Sequence, residues 1–267
     1  MQPLLLARRR AGEVAEIVLN RPRQHNALNL EMWQGLARLA AELQADASVR
    51  AVVVRGAGQR AFSAGADVGE FERTRTDRQT GIAYNRTLRE AMDAIVRLPM
   101  PVVARIHGYC IGGGCELALC ADLRICDQTA EFGIPAARLG TGLDLGDVQR
   151  LVRLVGPAQA QHILFTARRV SADQALRIGL VNAVVPAAEV DAYMERLLED
   201  LLAGSPLAVR RAKQDVRLVL DDPSLASVVD RDQHAAELFD TQDYREGVRA
   251  FLEKRPPRFP GYEPPGS

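Results

Sequence analysis

Two glycine-rich segments and one glutamate have the residue types and spacing that suit chemistry. The first segment is Arg60-Ala61-Phe62-Ser63-Ala64-Gly65-Ala66-Asp67, just after Gly56-Ala57-Gly58. Small residues let a ligand approach the backbone, and free N–H groups in such a turn attract negative charge. Taken alone, it also fits an ordinary surface turn. The second is His107-Gly108-Tyr109-Cys110-Ile111-Gly112-Gly113-Gly114-Cys115-Glu116-Leu117, which leads into the apolar run Leu117 to Ala121. Glycines entering a helix expose unpaired N–H groups at the positive end of the helix dipole, which suits a phosphate or a developing oxyanion. No Gly-Lys-Ser/Thr follows, so this is not a P-loop, and the glycine spacing is not that of a dinucleotide fold. Glu116, on the first helical turn, either complements the dipole or serves as an acid/base beside the anion-binding turn. His107 reads as a structural hydrogen-bonding residue rather than a catalytic one.

Cys110, Cys115, Cys120 and Cys126 invite a zinc reading, but no close C-x2-C pair occurs among them. Five residues along a helix turn about 500°, so Cys115 and Cys120 do not share a face. The four read as small buried apolar residues, and no metal is expected.

The segments around these residues must position them. Glu13 to Asn20 alternates apolar and polar residues before Arg21-Pro22 and reads as a strand. Leu30 to Gln44 carries Trp33, Leu36, Leu39, Ala40 and Leu43 at helical spacing. Ala51-Val52-Val53-Val54 reads as a buried strand. Residues 82–97 look helical, and Pro101 to Ala104 and Asp122 to Cys126 look like further strands. The alternation predicts an α/β architecture. From about Ala187 the pattern becomes helical over 187–203, 206–220, 224–239 and 243–253, with a proline-rich tail. The division expected is a core over 1–200 and a helical C-terminal region over 201–267.

Composition excludes several classes. With 34 basic and 34 acidic residues in 267, the formal charge is zero, without the basic excess of a nucleic-acid binder. No run approaches the ~18–20 apolar residues of a membrane span. The N-terminal apolar run is too short for a signal sequence and precedes its charges rather than following them. A cytoplasmic protein is expected.

In this order and at about this separation, the FSAGAD and GGGCE segments resemble the enoyl-CoA hydratase/isomerase (crotonase) superfamily. Asn20-Arg21-Pro22 with His25-Asn26-Ala27-Leu28 is similar to its N-terminal strand and turn. Ala130-Glu131-Phe132-Gly133-Ile134-Pro135 is similar to its second active-site segment. Leu164 to Ala167, Ser171 to Ala175 and Gly179 to Asn182 resemble its substrate-channel region, and Phe251 to Arg255 its C-terminal end. The resemblance implies an α/β spiral of ββα turns with a C-terminal helical oligomerisation region. It implies an acyl-CoA thioester enzyme without a separate cofactor, coenzyme A being part of the substrate, that assembles as a homotrimer or a dimer of trimers.

Carried over position by position, the Ala66 and Gly113 amides would form an oxyanion hole. Ala64, Asp67 and Val68 would meet coenzyme A through their backbones. Arg23, Phe251 and Lys254 match further coenzyme A contacts, while Arg23 and Lys254 equally fit solvated charges. Hydratases of the family use two glutamates. Glu116 matches the first; the second position, directly after Phe-Gly-x-Pro, is Ala136, which cannot exchange a proton. Asp144 matches a position where some members carry a catalytic aspartate and is the candidate second acid/base; a solvated loop carboxylate or a helix N-cap for the segment beginning near Asp147 is its other reading. Asp147 reads as a cap or first-turn charge. The expected reaction is hydration of a 2-enoyl-CoA; the alternatives are an enoyl- or dienoyl-CoA isomerase and a catalytically weak acyl-CoA-binding protein. A decarboxylase reading is lowered by Leu143, where that relative uses a tyrosine.

Overall fold

The computed structural model describes residues 2–261, so the end of the proline-rich tail, 262–267, lies outside the described residues. The chain forms two compact units. One comprises Met1–Leu98 and Val102–Met194, the other Pro99–Pro101 and Glu195–Ser267.

The first unit is a spiral in which the strands from the third to the eighth go alternately to two sheets. The strands are β1 (Leu4–Arg9), β2 (Val14–Leu19), β3 (Ala51–Gly56), β4 (Ala61–Ser63), β5 (Val102–Ile106), β6 (Tyr109–Ile111), β7 (Leu123–Asp127), β8 (Glu131–Gly133), β9 (Val170–Ser171) and β10 (Ala183–Val185). The larger sheet runs β1-β2-β3-β5-β7-β10 and the smaller β4-β6-β8-β9. From β2 to β10 the larger sheet is parallel, with β1 antiparallel at its edge. In the smaller sheet β4, β6 and β8 run parallel. Each turn of the spiral thus gives one strand to each sheet before a helix follows. The helices are α1 (Leu30–Ala45), α2 (Phe71–Thr74), α3 (Arg78–Arg97), α4 (Gly113–Leu119), α5 (Ala136–Leu139), α6 (Leu145–Thr166) and α7 (Ala172–Arg177).

Local chemistry accounts for these boundaries. Asn29 starts α1 by accepting from Met32 N at 3.0 Å, and the helix then buries Met32, Trp33, Leu36, Ala40 and Leu43. Asp77 and Thr80 form a capping box, so α3 begins earlier than its apolar periodicity suggests. The alternation in β2 does not mark a solvent face: all six residues are buried, and Glu16 is held by Arg9 and Arg55. The four cysteines are buried and form no disulfide.

The second unit contains α9 (Pro206–Asp221), α10 (Arg231–Ala236) and α11 (Gln242–Leu252); α8 (Val190–Ala203) leads into it. The helix expected over 224–239 is a correction: only Arg231–Ala236 is helical. Leu225 takes a left-handed φ of 56°, and the Asp222 carboxylate accepts from Ser224 Oγ and Ser227 N, tying the chain into a turn. Among the described residues no helix is long and apolar enough to cross a membrane.

Candidate active site

The three parallel strands of the smaller sheet deliver their carboxyl ends side by side, where α/β folds place ligands. Beyond β4 comes Ala64-Gly65-Ala66, beyond β6 Gly112-Gly113, and beyond β8 Ile134-Pro135. Gly112 N donates to Gly133 O at 2.7 Å, and Leu28 N donates to Gly65 O at 2.7 Å, fixing the loops to one another. Gly112 adopts φ 51°, ψ −125°, and Gly65 φ 100°, conformations that a side chain would strain.

These bends bring two amides together. Gly113 opens α4, so its N–H has no partner within the helix. Ala66 is flanked by backbone bonds from Leu28 N to Gly65 O and from Asp67 N to Leu28 O, which leave its own N–H out of the ladder. The two segments approach so closely that a Cβ built on Gly113 would stand 3.4 Å from Ala66 N and 3.1 Å from Trp33 Cζ2. Both line one pocket of about 390 Å3, which also holds Ala64, Val68, Glu116, Asp144 and Asp147.

Glu116 projects from the first turn of α4, and its carboxyl makes no hydrogen bond or ion pair among the described residues. Burial, followed by the charge on Asp147, pushes its carboxyl up to about 8, against the pull of Arg75 and Arg150. Asp147 is buried on the first turn of α6, and burial raises it to about 6 even though Arg150 lies beside it. Arg150 Nη1 meets Asp147 Oδ1 at 2.7 Å, and its Nη2 meets Asp93 at 2.7 Å, so one guanidinium fixes the aspartate from behind. The first-turn placement of Asp147 follows the sequence, but its share in the pocket does not. No motif marked it; the only available signal was a second acid one helical turn beyond Asp144.

Asp144 reaches the same pocket as the N-cap of α6. Its Oδ1 accepts from Gly146 N at 2.9 Å and its Oδ2 pairs with Arg89 at 3.0 Å, so both oxygens are engaged. Asp67 departs from its expected backbone role: its N–H already serves Leu28 O, its carbonyl serves Glu70 N, and its carboxylate pairs with Arg21 at 2.8 Å. It braces the turn. Arg23 is exposed and lines a separate hollow of about 330 Å3 with His25 and Arg60. Phe251 and Lys254 are exposed residues of the second unit. His107 is also a correction: it is buried, and neither ring nitrogen finds a hydrogen-bond partner. Its ring packs at the end of β5, and burial lowers its pKa.

The family described as enoyl-CoA hydratase/isomerase matches residues 9–262. The chain is 36% identical over 246 residues to a short-chain-enoyl-CoA hydratase of Clostridium acetobutylicum, covering 91% of this chain and 93% of that one. It is 36% identical over 252 residues to a crotonyl-CoA hydratase of Syntrophomonas wolfei, covering 92% and 94%. The crystal structure of an enoyl-CoA hydratase/carnithine racemase from Magnetospirillum magneticum is similar with a TM-score of 0.90 and 38% identity over 98% of this chain and 97% of that one. An enoyl-CoA hydratase from Bacillus anthracis is similar with a TM-score of 0.91 and 33% identity over 98% and 100%.

Proposed function

The chain belongs to the enoyl-CoA hydratase/isomerase family, and from that premise we propose that it adds water across the conjugated double bond of a 2-enoyl-CoA thioester. The observation that carries this reading is one pocket holding two uncommitted amides, Ala66 and Gly113, beside the unpaired carboxyl of Glu116. The amides are proposed as an oxyanion hole. An enolate-like thioester oxygen gains its charge only near the transition state, where each preorganised donor contributes ~3 kcal/mol.

The two pocket acids divide the work. Glu116, raised to about 8, is largely protonated at neutral pH and gives its proton to Cα. Asp147, raised to about 6, is largely ionised and takes a proton from the water whose oxygen bonds to Cβ. One proton enters and one leaves the protein, so a second transfer between the acids and solvent resets the site. Acids with pKa values pushed apart serve this division. Asp144 has both oxygens engaged and is the less favoured partner for Glu116.

Coenzyme A enters as part of the substrate, and the proposed enzyme needs no separate cofactor. Backbone groups of Ala64 and Val68, with Arg23, Phe251 and Lys254, remain its proposed contacts. A homotrimer or dimer of trimers and a cytoplasmic setting complete the reading. A double-bond isomerase is the second reading, favoured by the placement of Asp144 in the same pocket as Glu116. An acyl-CoA-binding protein without turnover is the third.

The test is loss of the conjugated enoyl absorbance of crotonyl-CoA, with the product identified by mass. Water addition that disappears in Glu116→Gln supports the hydratase. A product of unchanged mass supports the isomerase, and tight thioester binding without turnover supports the binding protein.

A further inference from the structure

Arg75, at the C-terminal end of α2, lines the same pocket as Glu116, and among the described residues no carboxylate pairs with it. Its guanidinium carbon lies 4.7 Å from the Phe71 ring centroid and 5.1 Å from that of Tyr84, so two aromatic rings hold the cation in place. Its hydrogen bonds go to neutral partners at long range: Nη2 reaches Asn85 Oδ1 at 3.3 Å and Thr141 Oγ1 at 3.4 Å. A guanidinium carries five N–H donors in a fixed fork, so most of its capacity is unspent. The other arginines of the pocket differ: Arg89 already holds Asp144, and Arg138 is exposed. The pocket acids do not neutralise Arg75, because Asp147 is held by Arg150 and Glu116 makes no ion pair.

We propose, resting on the hydratase reading, that Arg75 is a receptor for a carboxylate on the acyl group, so that the substrates are 2-enoyl-CoA thioesters of dicarboxylic acids. A plain alkyl end would cover the guanidinium and remove its water without replacing it, whereas a carboxylate matches the fork and returns both charge and hydrogen bonds. The aromatic rings and the Asn85–Thr141 pair fix the fork before the ligand arrives, which lowers the ordering cost of binding.

The test uses two pairs of thioesters that differ only by a carboxylate in place of a terminal methyl. Glutaryl-CoA and pentanoyl-CoA are unreactive and report binding by calorimetry; glutaconyl-CoA and pent-2-enoyl-CoA report hydration. The wild-type protein is expected to bind glutaryl-CoA roughly tenfold or more tightly than pentanoyl-CoA. Arg75→Gln is expected to bring that ratio near one while pentanoyl-CoA binds about as before, and Arg75→Lys to keep part of the preference. Equal binding by the wild-type protein, or a ratio that survives Arg75→Gln, overturns the proposal. A loss common to both thioesters assigns Arg75 a structural role, and a matching loss for free coenzyme A assigns it to a coenzyme phosphate; each overturns it too. A preserved glutaryl preference with hydration of neither unsaturated thioester upholds the carboxylate site and sinks the hydratase reading instead.

Discussion

Glu116 and Asp147 come from different helices, α4 and α6, yet line one pocket, and the charge on Asp147 is second only to burial in raising the Glu116 carboxyl. In the proposed hydration this pair takes the role that two glutamates fill in hydratases of the superfamily, Ala136 standing at the second glutamate position.

The pH dependence of hydration follows from this pair. Asp147 must be ionised, which fails as the pH falls through about 6, and Glu116 must be protonated, which fails as the pH rises through about 8. A plot of kcat/KM for crotonyl-CoA against pH should be a bell between these limits. A profile flat from pH 5 to 9 would remove the two acids from the rate-limiting proton transfers.

Substitution should rank the acids. Glu116→Gln and Asp147→Asn should each lower kcat by about 10²–10⁴-fold. Asp144→Asn should act mainly through the start of α6, with a far smaller loss in kcat. The assignment reverses if steady-state kinetics place Asp144→Asn with the severe variants and Asp147→Asn with the mild one.

Gly113→Ala should separate catalysis from folding. The added Cβ would press on Trp33 Cζ2 at 3.1 Å and displace the α4 entrance relative to Ala66. Expected is a loss of roughly 10²–10³ in kcat, the scale of a lost oxyanion donor, with an unchanged circular dichroism spectrum. Full activity in this variant would show that the Gly113 amide makes no contact that matters in the transition state.

Burial of Glu116 should also cost stability. An acid whose pKa is raised in the folded state opposes folding as the pH climbs past its unfolded value, and the penalty is complete above the folded value, about 8. Glu116→Gln should therefore match the wild-type protein near pH 4 and gain stability up to about pH 8, reaching on the order of 5 kcal/mol. Urea unfolding at several pH values reads this directly; equal midpoints at pH 4 and pH 9 would contradict it.

Asn26 should prove a structural residue. It is fully buried with φ 55°, donates to Ala57 O at 3.0 Å and Ala61 O at 2.7 Å, and accepts from Arg21 N at 3.0 Å. Asn26→Ala strands these groups and places alanine in the left-handed region, for a loss on the order of 3 kcal/mol in thermal or urea unfolding. A change under about 1 kcal/mol would mean that water replaces the amide.

The sequence by itself determined strands β2, β3, β5 and β7 and helices α1 and α3, because β-branched runs and helical periodicity are local signals; the three-residue strands of the smaller sheet are too short to carry such a signal. It also drew attention to the two glycine-rich segments and Glu116, while the pairing of the Ala66 and Gly113 amides came from the resemblance, since the first segment alone fits an ordinary surface turn. It did not determine where α10 begins, since a left-handed Leu225 and a side-chain-closed turn at Asp222 interrupt residues with ordinary helical composition.

Tertiary structure decided the electrostatics. Asp147 reads as a first-turn charge until α6 packs beside α4; only then does burial raise its pKa and place it next to Glu116. Asp144, the aspartate that motif comparison favours, has both oxygens committed to Gly146 and Arg89, and Arg89 is 55 positions away in the chain. Arg75 depends on the fold in the same way: its environment comes from Phe71, Tyr84, Asn85 and Thr141 together. Helix caps and turns are set by neighbours along the chain, whereas the desolvation and charge that tune a carboxyl depend on what arrives from elsewhere in the fold.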